Sequence, residues 1–115
     1  MRAVALAAVL FVAGCGGGVA RYGDVKGCLA KLGTVGVTRK REDGRVFSAV
    51  IVFPGAASGS GTILFHDSHR AMENGIAFAR SGGAPRPQIL DDTNDVYWSG
   101  AVTARRRERV AACFR

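Results

Sequence analysis

The chain has 115 residues, which is enough for one domain with a single modest hydrophobic core and too few for two domains. Apolar residues make up 48% and charged residues 22%, so the composition excludes a disordered chain. The formal net charge of +7 favours an anionic partner, and the candidates are anionic lipid, an anionic wall polymer and nucleic acid.

The N-terminal residues have the pattern of an export signal. Arg2 precedes the apolar run from Ala3 to Ala13, which has the length of a signal-peptide core and is too short to cross a bilayer. The run ends in VAGC, residues 12–15, which resembles the lipobox of bacterial lipoproteins. In that family the cysteine receives a diacylglyceryl group and the leader is cut off in front of it. The resemblance therefore predicts a signal peptide over residues 1–14 and a lipid on Cys15.

Export decides where the protein is located and which partners it meets. A lipid on Cys15 would hold the mature chain on the extracytoplasmic face of the bacterial membrane, where a nucleic-acid partner is not expected. The glycines at 16–18 predict a flexible tether over residues 15–21, followed by a single domain over 22–115. The alternative is plain secretion, with an ordinary signal cut after Ala20.

Apart from Cys15, which the lipobox assigns to the lipid, the chain has two cysteines, Cys28 and Cys113. Cys28 lies on the apolar stripe of a predicted short helix that is capped by Asp24 and stopped by Gly33, so the pattern predicts that it faces inward. Cys113 lies on one face of a C-terminal helix predicted from about Thr103. An exported domain with this pair favours a disulfide, while two buried free thiols or a redox pair remain alternatives.

The middle of the chain alternates between strand and helix patterns. Strands are predicted over Thr34 to Arg39, Val46 to Phe53 and Gly61 to Phe65, and Asp-Gly at 43–44 indicates a hairpin turn between the first two. Helical spacing follows from Ser68 to about Arg80.

A fourth strand is predicted at Val96 to Trp98, which Ile89 and Leu90 could extend or replace, and the C-terminal helix follows. The order α-β-β-β-α-β-α predicts an α+β fold of two layers. We expect about four strands in a mainly antiparallel sheet, with the helices on one face.

Four segments together resemble small actinobacterial lipoproteins to which no activity is assigned. They are GCLAKLG early in the mature chain, TILFHDSHRAM in the middle, the short strand that carries Trp98, and VAACF near the end. The resemblance implies that the two mature-chain cysteines are paired. It supports the fold and the location, and it implies no activity.

His66, Asp67, Ser68 and His69 form the most polar cluster and hold both histidines of the chain. Asp67 or Ser68 as the cap of the following helix explains the cluster without a function. A weak metal site or a catalytic pair are the alternatives. No HExxH pattern and no third histidine are present, so no metal is predicted.

Two other segments resemble ligand-binding loops only in part. Asp91, Asp92 and Asp95 begin like a calcium loop, but valines stand where that loop requires glycine and glutamate. The glycine-rich segment from Pro54 to Gly61 lacks the lysine of a phosphate loop and opens a strand instead of a helix. No cofactor is therefore predicted.

The densest basic run is Arg105, Arg106, Arg107 and Arg109 on the C-terminal helix. At about 100° per residue, Arg105 and Arg109 project outward together, Arg106 lies nearer the apolar stripe and Arg107 faces elsewhere. Arg105 and Arg109 are the candidates for contact with an anionic surface, and a plain solvated face is the alternative.

These patterns favour a membrane-tethered, non-enzymatic binding or structural module of the cell envelope. Its partners would be the membrane through the lipid, anionic lipid or wall polymer, or another envelope protein. The alternative is a small envelope enzyme or ligand carrier with a cleft near His66 and His69. A pocket that joins the two histidines would favour the enzyme, and a smooth apolar or basic patch would favour the binding module.

Overall fold

A computed structural model describes residues 17–39, 47–55 and 59–115 of the chain, without the side chains of residues 17–19 and 39. The described part forms a mixed α+β fold, as predicted. Its elements in chain order are α1 (Gly17–Ala30), β1 (Thr34–Arg39), β2 (Phe47–Val52), β3 (Ser60–Phe65), α2 (His69–Ser81), β4 (Gln88–Ile89), β5 (Asn94–Ser99) and α3 (Ala104–Ala112).

The five described strands form one antiparallel sheet in the order β1-β2-β3-β5-β4. The predicted order of helices and strands is confirmed, but the sheet has five strands where four were expected. The additional strand is β4, which pairs Ile89 with Asp95 of β5. Ile89 therefore neither extends nor replaces the strand at Val96 to Trp98, because Ile89 belongs to a separate edge strand.

One face of the sheet carries the main hydrophobic core. Alternate residues of β2, β3 and β5 point to this face, and the apolar stripes of α1 and α3 cover it. The aromatic rings of Tyr22, Phe47 and Phe65 pack edge to face or tilted, with centroids 5.2 to 5.8 Å apart. Other buried members are Val25, Leu29, Ala49, Ile51, Phe53, Ile63, Leu90, Val96, Val102, Val110, Ala111 and Phe114.

Helix α2 packs on the opposite face. Asp95 lies between Asn94 and Val96, which face the core, so its side chain points to the second face. The Nε2 atom of His66 lies 2.9 Å from Oδ1 of Asp95. A Cβ added to Gly75, in the middle of α2, would lie only 3.1 Å from Cε1 of His66. The expectation that all helices share one face is therefore wrong for α2, because helical periodicity does not tell which face of a sheet a helix covers.

The N-terminal boundary of the domain also differs from the expectation. Helix α1 begins at Gly17 rather than Asp24, so residues 17–21 of the predicted flexible tether are helical. Arg21 is fixed to the domain, since its Nη2 donates to the carbonyl oxygen of Phe114 at 2.6 Å. The predicted signal peptide, Cys15 and the Asp-Gly turn at 43–44 lie outside the described residues. No helix in the described residues has the length and apolar character needed to span a membrane.

The predicted disulfide is confirmed: Cys28 and Cys113 are bonded, with their Cα atoms 5.7 Å apart. The bond ties α1 to the C-terminal end of α3. The prediction that Cys28 faces inward is wrong, because Cys28 is exposed and Cys113 is half-buried. The buried stripe of α1 instead consists of Val25 and Leu29, and Cys28 lies at the margin of that stripe, where it can reach the neighbouring helix.

Candidate functional site

The antiparallel strands end at two opposite edges, which differ in chemistry. We call one the Phe65 end, where β2 begins at Phe47 and β3 ends at Phe65. We call the other the Pro54 end, where β2 ends at Val52 and continues to Pro54. Helix α3 begins at the Pro54 end, because Nη2 of Arg106 lies 3.3 Å from the carbonyl oxygen of Pro54.

The Phe65 end holds a buried histidine and aspartate pair. His66 is 6% exposed and Asp95 is fully buried, and the hydrogen bond between them joins the end of β3 to β5. The Oδ2 atom of Asp95 and the hydroxyl of Tyr97 are also buried, and neither has a partner within the described residues. Burial, together with the nearby Asp95 carboxylate, raises the pKa of Tyr97 above its ordinary value of 10.0.

His69 is the first residue of α2 and has other partners than this pair. Its Nδ1–H donates to the carbonyl oxygen of Asp92 at 2.8 Å, and its side chain is 52% exposed. The hydrogen bond to Asp92, reinforced by the nearby carboxylates of Glu73 and Asp92, raises the pKa of His69 above 6.5. Ser68 is the N-cap of α2, because its Oγ accepts from the backbone N–H of Ala71 at 3.0 Å. The capping interpretation of this cluster is therefore confirmed for Ser68.

The aspartates that resembled a calcium loop are used in contacts within the protein. Oδ1 of Asp91 accepts from the backbone N–H of Thr93 at 3.0 Å and from the amide of Asn94 at 2.6 Å. Its Oδ2 lies 3.2 Å from Nε of Arg21 on α1. Asp91 thus stabilises the turn before β5 and fixes it to α1. No group of three or more potential metal ligands occurs in ranges 17–39, 47–55 and 59–115.

The Pro54 end carries a stack of two aromatic rings and two guanidinium groups. Phe53 and Trp98 pack with their ring centroids 6.2 Å apart. The guanidinium carbon of Arg106 lies 5.2 Å from the centre of the Phe53 ring, and that of Arg107 lies 5.7 Å from the centre of the Trp98 ring. Nε of Arg107 also donates to the carbonyl oxygen of Val102 at 3.2 Å. Both guanidinium groups are therefore held in place by ring faces and backbone oxygens.

The other arginines of α3 reach solvent. Arg105 and Arg109 are exposed, which agrees with their predicted outward direction. Arg106 and Arg107 are half-buried. The prediction that Arg106 lies nearer the apolar stripe is confirmed by its position over Phe53. The contact of Arg107 with Trp98 was not predicted, because a helical wheel does not show which strand residue lies beneath each side chain.

A shallow cleft adjoins this stack at the Pro54 end. It has a volume of about 360 Å³ and lies between the segments 30–34 and 52–54. Lys31 lines one side and Pro54 lines the other. Since the carbonyl of Pro54 also accepts from Arg106, the cleft and the stacked arginines form one continuous surface.

Charge is divided between the two ends of the sheet. The described residues near the Pro54 end are 31–35, 50–55, 59–62 and 97–107. None of these residues has an acidic side chain. We define the Pro54-end basic surface as Lys31, Arg105, Arg106 and Arg107. The acidic side chains Asp67, Asp91, Asp92 and Asp95 instead belong to segments at the Phe65 end.

No protein-family model matches the chain, and comparisons with curated proteins and with solved structures found no match either.

The two histidines differ in both partner and burial. His66 is bonded to Asp95 inside the protein, whereas His69 is bonded to Asp92 at the surface. The burial of His66 and Asp95 was not predicted, since the sequence favoured a solvated cap for one and a polar loop for the other. The only sequence signal for the burial of Asp95 was the alternation of side chains along β5, because Asp95 and Val96 point to opposite faces of the sheet.

Proposed function

We propose that this chain is an exported lipoprotein whose folded part is a non-enzymatic binding or structural module of the cell envelope. In this proposal the lipid on Cys15 anchors it to the extracytoplasmic face of the membrane. Its partners are then found at that face: anionic lipid, anionic wall polymer or another envelope protein.

The observation that carries the proposal is the bond between Cys28 and Cys113. Structural disulfides form and persist in oxidising compartments and are rare where thiols are kept reduced. A bridge between the first and last helices thus fits the export signal that precedes Cys15. Both cysteines are committed to the bridge, which leaves Cys15 as the cysteine available for a lipid.

The geometry favours a binding module over an enzyme that uses the two histidines. Such an enzyme needs His66 and His69 to act on one substrate, and they share no hydrogen-bond partner among the described residues. The Pro54 end, in contrast, presents exposed and half-exposed positive charge. The next acidic side chain along α3, Glu108, is paired with Arg115. Charge of one sign on an accessible surface attracts partners of the opposite sign.

The test is the chemical state of the mature N-terminus. The full chain would be expressed in a bacterium, and the membrane fraction analysed by intact-mass spectrometry. We expect a chain that begins at Cys15 and carries a diacylglyceryl group. Cys15→Ser should release or misprocess the protein, whereas Gly16→Ser, which leaves VAGC intact, should not. An unmodified mature chain that begins at Arg21 would show secretion instead and contradict the proposal.

A further inference from the structure

We propose that the Pro54-end basic surface binds a polyanionic polymer beyond the membrane to which the protein is tethered, and not the lipid surface itself. The polymer is defined by its chemistry: a flexible chain that carries successive phosphate or carboxylate groups. The inference deepens the proposed function, because the direction of this surface depends on a lipid at Cys15.

Helix α1 sets the distance between the anchor and the basic surface. The ring of Tyr22 packs 5.2 Å from that of Phe47, at the start of β2. At the other end, a Cβ on Gly33 would meet the carbonyl oxygen of Val52, the last residue of β2. Helix α1 therefore runs from the Phe65 end toward the Pro54 end. Its 14 residues span about 21 Å at 1.5 Å each, which exceeds the screening length of about 8 Å at physiological salt.

The helix cannot easily swing away from the domain. Arg21 contacts both Asp91 and the carbonyl of Phe114, and the disulfide at Cys28 ties the same helix to α3. In the sequence a single residue, Gly16, stands between Cys15 and Gly17 of α1. The lipid would therefore hold the start of α1 close to the membrane, and the rigid domain would direct the Pro54 end outward.

The stacked arginines, Arg106 and Arg107, are pre-organised to bind oxyanions. Arg106 is held by Phe53 and the carbonyl of Pro54, and Arg107 by Trp98 and the carbonyl of Val102. A planar guanidinium offers paired N–H groups that match the geometry of phosphate and carboxylate. Fixing the side chains in advance reduces the entropy lost on binding.

The distribution of charge favours a polymer over a single small anion. Lys31 borders the cleft, and Arg106 contacts the carbonyl oxygen of Pro54, which also lines the cleft. Arg105 is the exposed neighbour of Arg106 on α3. The positive groups thus extend along the surface instead of converging on one point. A chain with repeated charges can engage several of them at once, and each further contact strengthens binding without a new loss of translational freedom.

The experiment uses the full lipidated protein in zwitterionic phosphatidylcholine vesicles, with long-chain polyphosphate as the probe and poly-L-glutamate as the carboxylate comparison. Binding is measured by co-sedimentation and by the fluorescence of Trp98, the single tryptophan of the chain. We expect binding that weakens steeply as salt increases. Inorganic phosphate at the same total phosphate concentration should compete poorly. Displacement by inorganic phosphate at that concentration would refute a polymer site.

Four double variants separate the effect of the proposed surface from the effect of net charge. Arg106→Gln with Arg107→Gln should weaken polyphosphate binding by about tenfold or more. The control, Arg70→Gln with Arg80→Gln, removes the same charge from exposed positions of α2. It should change polyphosphate binding by less than about threefold. Arg106→Lys with Arg107→Lys keeps the charge and should lie between them. Because Arg106 and Arg107 also pack on the core, Arg105→Gln with Lys31→Gln provides a second test at exposed positions. Equal binding by these variants and the α2 control would overturn the inference.

Orientation is tested with nitroxide-labelled lipid headgroups in anionic phosphatidylglycerol vesicles. Trp98 should be quenched weakly, and a reporter near the start of α1, made by Tyr22→Trp with Trp98→Phe, should be quenched more strongly. Strong quenching of Trp98 together with loss of polyphosphate binding would place the basic surface on the membrane and overturn the inference. A chain without lipid would instead refute the proposed function, and its polyphosphate binding can still be measured in solution.

Discussion

Removing the bond between Cys28 and Cys113 should destabilise the protein mainly through the unfolded chain. The bond joins residues 85 apart in sequence, and closing a loop of that length stabilises a protein by about 4.5 kcal/mol on the chain-entropy model. Cys28 is exposed and Cys113 is half-buried, so serine at both positions leaves no large cavity in the core. A domain of this size has a free energy of unfolding of about 5 to 15 kcal/mol, so the loss is a large fraction of the total.

The assay is thermal and urea unfolding of Cys28→Ser with Cys113→Ser, followed by circular dichroism. Unfolding of about 100 residues has an entropy near 0.2 kcal/mol/K, so the expected fall in Tm is about 20 °C. The unreduced and reduced wild-type protein should differ by a similar amount. Ala30→Ser with Ala112→Ser changes exposed residues of the same two helices and is the matched control, with an expected cost of about 1 kcal/mol.

Two results would refute this reasoning. A fall in Tm of less than about 5 °C in the double serine variant, equivalent to roughly 1 kcal/mol, would mean that the bond does not restrict the unfolded chain. Recovery of both cysteines as alkylated free thiols from freshly isolated protein would mean that the bond does not form in the cell.

Three further predictions concern the Phe65 end. The hydrogen bond to Asp92 raises the pKa of His69, so this contact stabilises the fold fully below pH 6.5 and the stabilisation is lost as pH rises through the folded pKa. NMR titration should give a pKa above 6.5 for His69, and His69→Gln should abolish this part of the pH dependence of stability. Asp95→Ala should lower the free energy of unfolding in urea by about 3 kcal/mol by leaving buried His66 without its partner, and a loss below about 1 kcal/mol would contradict a buried pair. Replacing glycine by alanine inside a helix usually raises the free energy of unfolding by about 0.5 to 1 kcal/mol. Gly75→Ala should not give this gain, because the new Cβ would lie 3.1 Å from Cε1 of His66. A more stable variant would contradict this packing.

The sequence determined the features that depend on local periodicity and on the number of cysteines available for pairing. The strand at Thr34–Arg39 was predicted with its observed limits, because its pattern is bounded by turn residues on both sides. The helix of residues 69–81 was predicted within one residue at each end, since Ser68 supplies a cap. The disulfide was predicted because Cys28 and Cys113 are the two cysteines left for a bridge once Cys15 is assigned to the predicted lipid. Each of these inferences uses neighbours in the chain or a count of residue types.

Tertiary structure alone decided which faces and side chains meet. Helical spacing along residues 69–81 is the same on either side of a sheet, so only packing against His66 shows that α2 covers the second face. The hydrogen bond between His66 and Asp95 joins residues that are 29 apart in the sequence. The stacking of Arg107 on Trp98 depends on where α3 lies relative to β5. Local periodicity fixes the direction of a side chain relative to its own helix or strand, whereas the partner it reaches depends on strand register and helix placement, which are set by burial over the whole chain.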